Sequence, residues 1–189
     1  MHIVLFGGAF DPPHLGHISV VKNFLELGLS DRLVFLPVLN HAFDKDLIES
    51  QHRLEMLNQV KKEHFQDLPV YTSDYELNRE GMSITYETLI DLSRENPRHQ
   101  YSFLIGSDNL ESFDKWHHYQ EMLDQFKFFV YPRAGFSFTK LRKGMIPLKD
   151  MPEMKVASTD IRERLKNNKD VDDVLSSEVI HYIRENKLY

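Results

Sequence analysis

HIVLFGGAFDPPHLGH, residues 2–17, is the stretch that decides the architecture. Residues 3–6 are all apolar and read as a strand buried on both faces. The chain then meets Gly7 and Gly8, Pro12 and Pro13, and finally His14 and His17 where a helix should begin. Adjacent glycines let a backbone come close to a ligand, because no Cβ intervenes. Prolines stiffen the turn. If His17 opens the helix, the two histidines project on one side of the chain. A helix start carries unpaired amides and partial positive charge, which suits a phosphate, and two imidazoles would add donors there. Two plainer arrangements stay open. One histidine can cap the turn while the other is exposed, or a metal can bind with more distant ligands. The pattern is neither G-x-G-x-x-G nor G-x-x-x-x-G-K-[ST], so neither dinucleotide-cofactor nor P-loop chemistry is signalled.

Working outward, further strand-like runs occur at 32–37, 69–73, 101–106, 126–131 and 154–158. Helical spacing lies between them. Ile18, Val21, Phe24 and Leu25 form one face before Gly28, and Leu54, Leu57 and Val60 form another. Residues 85–96, 158–167 and 176–186 read as further helices, and 134–153 as an irregular insertion. Alternation of strands and helices predicts an α/β fold, Rossmann-like: a doubly wound parallel sheet with helices on both faces and a small C-terminal helical part. One domain over residues 1–189 is expected. In a sheet ordered 3-2-1-4-5 ligands bind beyond the carboxyl ends of the first and fourth strands. The loops that should meet there are GGAFDPPHLGH and GSDNLESFDKW.

The bulk numbers narrow the classes. The chain has 189 residues, 41% hydrophobic and 28% charged, as in ordinary globular proteins. A formal charge of −6 argues against a nucleic-acid partner, and no run is long enough to span a membrane. Without cysteine there are no disulfides or thiolate metal sites. No signal peptide is read at the N-terminus, so a cytoplasmic location is expected.

At this point the motifs carry a resemblance. GGAFDPPHLGH resembles the His-x-Gly-His loop of adenylyltransferases that use ATP, and ASTDIRERL resembles the Ser-Thr-x-Ile-Arg signature of the same superfamily. SITYETL, IGSD and DKWHHYQEML, in that order between them, are similar to the nicotinate mononucleotide adenylyltransferase family, as is the C-terminal VIHYIRENKLY. The resemblance implies ATP and nicotinate mononucleotide as substrates, the dinucleotide and pyrophosphate as products, and Mg²⁺ accompanying ATP. It also implies site residues. His14, His17 and Arg162 would be catalytic. Gly7, Gly8, Phe10, Gly106, Asp108, Ser158 and Thr159 would join them in binding ATP, and Lys45, Thr85, Trp116 and Arg133 would bind the mononucleotide. No metal ligand among the side chains is implied, and a homo-oligomer is possible. There are departures: Ala9 stands where many relatives carry Thr, NHAFDKDL replaces a Pro-Pro-His-Lys segment, and His117 follows the tryptophan.

The residue types agree with that chemistry. A phosphate monoester is already largely dianionic at neutral pH, so it needs neighbours that neutralise charge more than it needs a base. His14, His17, Lys45, Arg133 and Arg162 are read as positive donors. Ser158 or Thr159 is expected to cap the helix that carries Arg162, and Arg53 to pair with a carboxylate. Trp116 is either a core residue or a face for a pyridinium ring. Thr85 is a plain helix cap or a ring-substituent contact, and Asp108 a surface aspartate, a ribose acceptor or a residue that holds a neighbouring loop. The same motifs also leave open nicotinamide mononucleotide as substrate, another small-molecule nucleotidyltransferase, or a sensor without turnover.

Overall fold

The computed structural model describes residues 1–39, 47–79 and 81–189. Six strands form one sheet: β1 (His2–Gly8), β2 (Arg32–Pro37), β3 (Val70–Thr72), β4 (Gln100–Gly106), β5 (Lys127–Tyr131) and β6 (Met145–Pro147). Their order is β3-β2-β1-β4-β5-β6 and every neighbouring pair is parallel. The helices are α1 (Leu15–Glu26), α2 (Ser50–His64), α3 (Thr85–Glu95), α4 (Tyr119–Gln125), α5 (Ser158–Lys166) and α6 (Ser177–Asn186).

Side chains alternate across a strand, and β1 uses both faces. Val4 and Phe6 enter one core, with Phe24 of α1, Leu57 of α2, Ile161 of α5 and Ile183 of α6. Ile3 and Leu5 enter the other, with Leu89 of α3 and Met122 of α4. That is why residues 3–6 carry no polar position: both sides of the strand are dry.

The sixth strand departs from the expected one. Residues 154–158 do not form it. Met145–Pro147, inside the segment read as irregular, pairs with β5 instead. Met154 makes only an isolated bridge to Arg133, through Ala134 N–H donating to Met154 O and Met154 N–H to Pro132 O, both at 3.0 Å. The physical reason is position. Residues 132–134 lie past the end of β5, so pairing there cannot extend the ladder. It fixes the start of α5 beside the carboxyl ends of the strands. Pro147 is tolerated because β6 is an edge strand.

Candidate active site

A cavity of about 670 Å³ opens beyond the carboxyl ends of β1 and β4, the place where the strand order reverses. Gly7, Gly8, Phe10 and His17 line it from the first loop, and Gly106, Asp108 and Trp116 from the loop after β4. Thr85 opens α3, Arg133 follows β5, and Ser158, Thr159 and Arg162 open α5; all of these also face it. His14 stands behind His17 and is not part of the wall. Lys45 lies outside the described residues.

The two histidines are joined in a way their spacing did not predict. α1 begins at Leu15, two residues before the expected start, with His14 as its N-cap. His17 N–H donates to His14 Nδ1 at 3.4 Å, and His14 N–H donates to His17 Nδ1 at 3.2 Å. The rings stack at 3.7 Å, tilted by 26°. With both Nδ1 atoms accepting, each neutral ring carries its proton on Nε2. Burial, helped by the charge of Arg133, pulls His14 down to about 3. Burial also holds His17 well below its ordinary value, with His14 and Arg133 adding to the effect. Without a ligand both are neutral N–H donors, so the expectation of two positive donors is corrected. Two of the amides at the start of α1 are also engaged. Leu15 N–H donates to Val174 O at 2.9 Å, and His17 N–H reaches the His14 carbonyl as well as its ring.

The open helix starts are elsewhere. Ala157, not Ser158 or Thr159, is the N-cap of α5, and no side chain caps it. Ser158 spends its hydroxyl on the Pro12 carbonyl at 3.1 Å, which ties α5 to the first loop. The backbone cannot bond the first amides of such a helix, so they face the cavity as donors. Arg162 Nη1 donates to the Asp11 carbonyl at 2.8 Å and lies 4.0 Å from Asp11 Oδ2. α3 likewise starts at Thr85 without a side-chain cap.

Gly7 has a different reason from the one expected. A Cβ there would run into the ring of Phe103, so packing inside the fold already demands glycine. At Gly106 a Cβ would meet the Asp108 carboxylate and the Tyr131 ring. Asp108 Oδ2 sits 3.2 Å from Arg133 Nη1. Ser107 Oγ receives Arg133 N–H at 3.0 Å and donates to the Phe136 carbonyl at 3.0 Å. Burial and the Asp108 charge raise the Tyr131 phenol well above its ordinary value, so that wall stays neutral. Trp116 is half-buried. It leans on Phe113 (centroids 5.0 Å, 31° between planes) and meets Phe103 edge-on at 6.4 Å.

Residues 5–164 match the cytidylyltransferase-like family. The chain is 36% identical over 192 residues to the nicotinate-nucleotide adenylyltransferase of Bacillus subtilis, covering 99% of this chain and 97% of that one. The chain belongs to the nicotinate-nucleotide adenylyltransferase family. A probable member from Oceanobacillus iheyensis is 34% identical over 189 residues, covering 99% and 96%. Among solved structures, the Plasmodium falciparum nicotinic acid mononucleotide adenylyltransferase complexed with NaAD superposes with a TM-score of 0.85 at 22% identity, covering 100% of this chain and 97% of that one. A putative nicotinate-nucleotide adenylyltransferase from Vibrio parahaemolyticus gives 0.73 at 24% identity, covering 97% and 92%. These likenesses bear out the Rossmann-like doubly wound fold.

Within this nicotinate-nucleotide adenylyltransferase fold, sequence reasoning passed over Glu76 and Asp11, which shape the site, and gave Arg53 a different partner. Glu76 is 2% exposed, lines the cavity beside α3, and accepts from Thr88 Oγ1 at 2.8 Å. Burial pushes its carboxyl up, against hydrogen bonds from Ser83 and Thr88 that favour the charged form. Arg53 was expected to pair with a carboxylate. Fully buried, it instead donates to the carbonyls of Ala9 at 2.8 Å, Leu39 at 3.1 Å and Ile48 at 3.2 Å, bracing the first loop. Asp11 is fully buried and accepts from Ile48 N–H at 3.4 Å and from the Tyr189 hydroxyl. Glu76, one of two glutamates in DYELNREG, has no local signal. Asp11 had one, since a carboxylate among apolar and proline residues must find partners.

Proposed function

We infer that the protein transfers the adenylyl group of ATP to nicotinate mononucleotide, giving nicotinate adenine dinucleotide and pyrophosphate. The observation that carries this reading is the pair of uncapped helix starts, α3 and α5, facing one cavity with His17, Arg133 and Arg162 on its wall. Two anionic partners can dock on two separate amide clusters with cationic and N–H donors around them. One oxygen of the mononucleotide phosphate attacks the α-phosphorus, a new P–O bond forms, and the bond from the α-phosphorus to the bridging oxygen breaks as pyrophosphate leaves. The nucleophile is already ionised, so catalysis is positioning and charge stabilisation.

In this reading His17 Nε2 donates to the α-phosphate, and an anion there favours its protonated form. His14 contributes by fixing the tautomer and tilt of His17. Arg162 and the first amides of α5, at Ser158 and Thr159, meet the outer phosphates. Gly7, Gly8, Phe10, Gly106 and Asp108 border the rest of ATP. Trp116 offers its free face to the pyridinium ring, the start of α3 at Thr85 receives the ring carboxylate, and Arg133 and Lys45 serve the mononucleotide phosphate. Mg²⁺ fits as an ion brought in by ATP, where it would neutralise the departing pyrophosphate. Among the described residues no three His, Asp or Glu side chains gather as a cage, so phosphate oxygens and water would complete its shell.

The start of α3 favours a ring carboxylate over a neutral carboxamide. Glu76, pushed toward its neutral form, repels that carboxylate less than a fully charged neighbour would. The test is pyrophosphate release from ATP and Mg²⁺ with each mononucleotide. Faster turnover with nicotinate mononucleotide is expected. Release with neither refutes the activity, and equal rates refute the preference. None of the described helices is long and apolar enough to cross a membrane. With both substrates freely diffusible, a cytoplasmic, membrane-free enzyme is the matching setting.

A further inference from the structure

We propose that Tyr189 is a positioning residue for Arg162, acting through the buried Asp11 carboxylate. The contact joins residues 178 apart in sequence. After α6, Lys187 takes a left-handed conformation (φ 53°) and Leu188 N–H donates to Ile183 O at 3.1 Å, which turns the chain inward. Leu188 and Tyr189 then pack on the core that α1, α2 and α5 share. The Tyr189 hydroxyl donates to Asp11 Oδ1 at the root of the first loop.

Asp11 is also what Arg162 touches. The guanidinium donates to the Asp11 carbonyl at 2.8 Å, while Asp11 Oδ2 stays 4.0 Å away. That spacing is a balance. A carboxylate with no exposed surface needs donors, and losing one leaves an unsatisfied acceptor. Two other donors near it are committed: Ile48 N–H to Oδ2, and Arg53 to three carbonyls. Arg162, already bonded to the Asp11 carbonyl and 4.0 Å from Asp11 Oδ2, is the cation placed to close on the carboxylate. Moving onto Asp11 draws it away from the phosphates it serves. The phenol prevents this, and burial beside Asp11 raises it so that it remains a donor.

The proposal rests on the reading that Arg162 meets the ATP phosphates, and its test separates the two. Tyr189→Phe removes only the hydroxyl. Its KM for ATP should rise roughly threefold to tenfold, the size of one net hydrogen bond, while the KM for nicotinate mononucleotide stays at the wild-type value. A structural role alone would lower the active fraction and leave both KM values unchanged. Should the variant lose stability, the rise in its own melting temperature on adding ATP still reads binding, and that rise should be smaller than for the wild type. In an Asp11→Asn background the carboxylate charge is gone, so Tyr189→Phe should cost no further ATP affinity. Tyr182→Phe on α6, which loses a 2.9 Å contact with His52, should change neither KM. Tyr189→Phe with a wild-type ATP KM and thermal shift, or with both KM values raised alike, overturns the proposal. Wild-type protein with no turnover and no thermal response to ATP overturns the activity reading itself.

Discussion

Replacing Trp116 by Ala separates a binding face from a packing role. Trp116 is half-buried, with one side on Phe113 and Phe103 and the other on the cavity. A tryptophan can bury ~200 Å², and half of that at ~25 cal/mol/Å² contributes about 2.5 kcal/mol to folding. A full core residue would contribute about 3–5 kcal/mol. The free face adds a separate quantity. A pyridinium over an aromatic ring gains roughly 0.5–2 kcal/mol, which is about twofold to thirtyfold in affinity. Trp116→Ala should therefore fold with reduced stability, bind nicotinate mononucleotide more weakly by that factor, and bind ATP as before. Trp116 is the only tryptophan, so its emission reports on this site alone. Titrating the wild type with nicotinate mononucleotide should quench or shift that emission with saturation. Flat emission in the wild type, together with unchanged mononucleotide affinity in the variant, refutes the stacking role.

Three other outcomes follow from the same geometry. His17→Ala should fold and lose roughly 10²–10³ in turnover, the usual cost of removing a donor aimed at developing charge; pyrophosphate release within a few-fold of wild type would remove His17 from the mechanism. Arg162→Ala should raise the KM for ATP well above any change for the mononucleotide, and steady-state kinetics with each substrate varied in turn would expose an equal effect as a general loss of structure. Acid should destabilise the fold between pH 6.5 and about 3, because His14 binds a proton when unfolded but not when folded in that window. Stability then rises with pH there by about 1.4 kcal/mol per unit for that one group, His17 acting in the same direction; urea midpoints that do not move between pH 7 and pH 5 would contradict both.

Much of the fold could be read locally. Residues 3–6, 33–36 and 103–105 are apolar at successive positions because strands buried on both faces have little polar side to show. The crossover helices α1 and α2 followed from apolar spacing and the place of the cavity from strand order, while α4, only 7 residues long, was not read as a helix. His17, Thr85, Trp116, Arg133, Ser158 and Arg162 all reached its wall. The sixth strand was lost because Met145–Pro147 is too short for any alternation to register, while residues 154–158 carry strand-like residues for a different task. There the chain must hold the open start of α5 in place.

By itself the sequence determined where backbone runs straight, where it coils, and which residue types gather at the ends of β1 and β4, since those depend on periodicities of two and about four residues. Only the tertiary structure decided what state those residues are in. His14 and His17 are neutral because burial removes the water that would stabilise their charge, and no spacing records that. Ser158 serves Pro12 instead of its own helix, and Asp11 finds Tyr189 from the far end of the chain. Hydrogen-bond partners of buried polar groups are chosen by whichever segments fold against them, so they follow from packing across the whole molecule and leave no mark in the residues alongside.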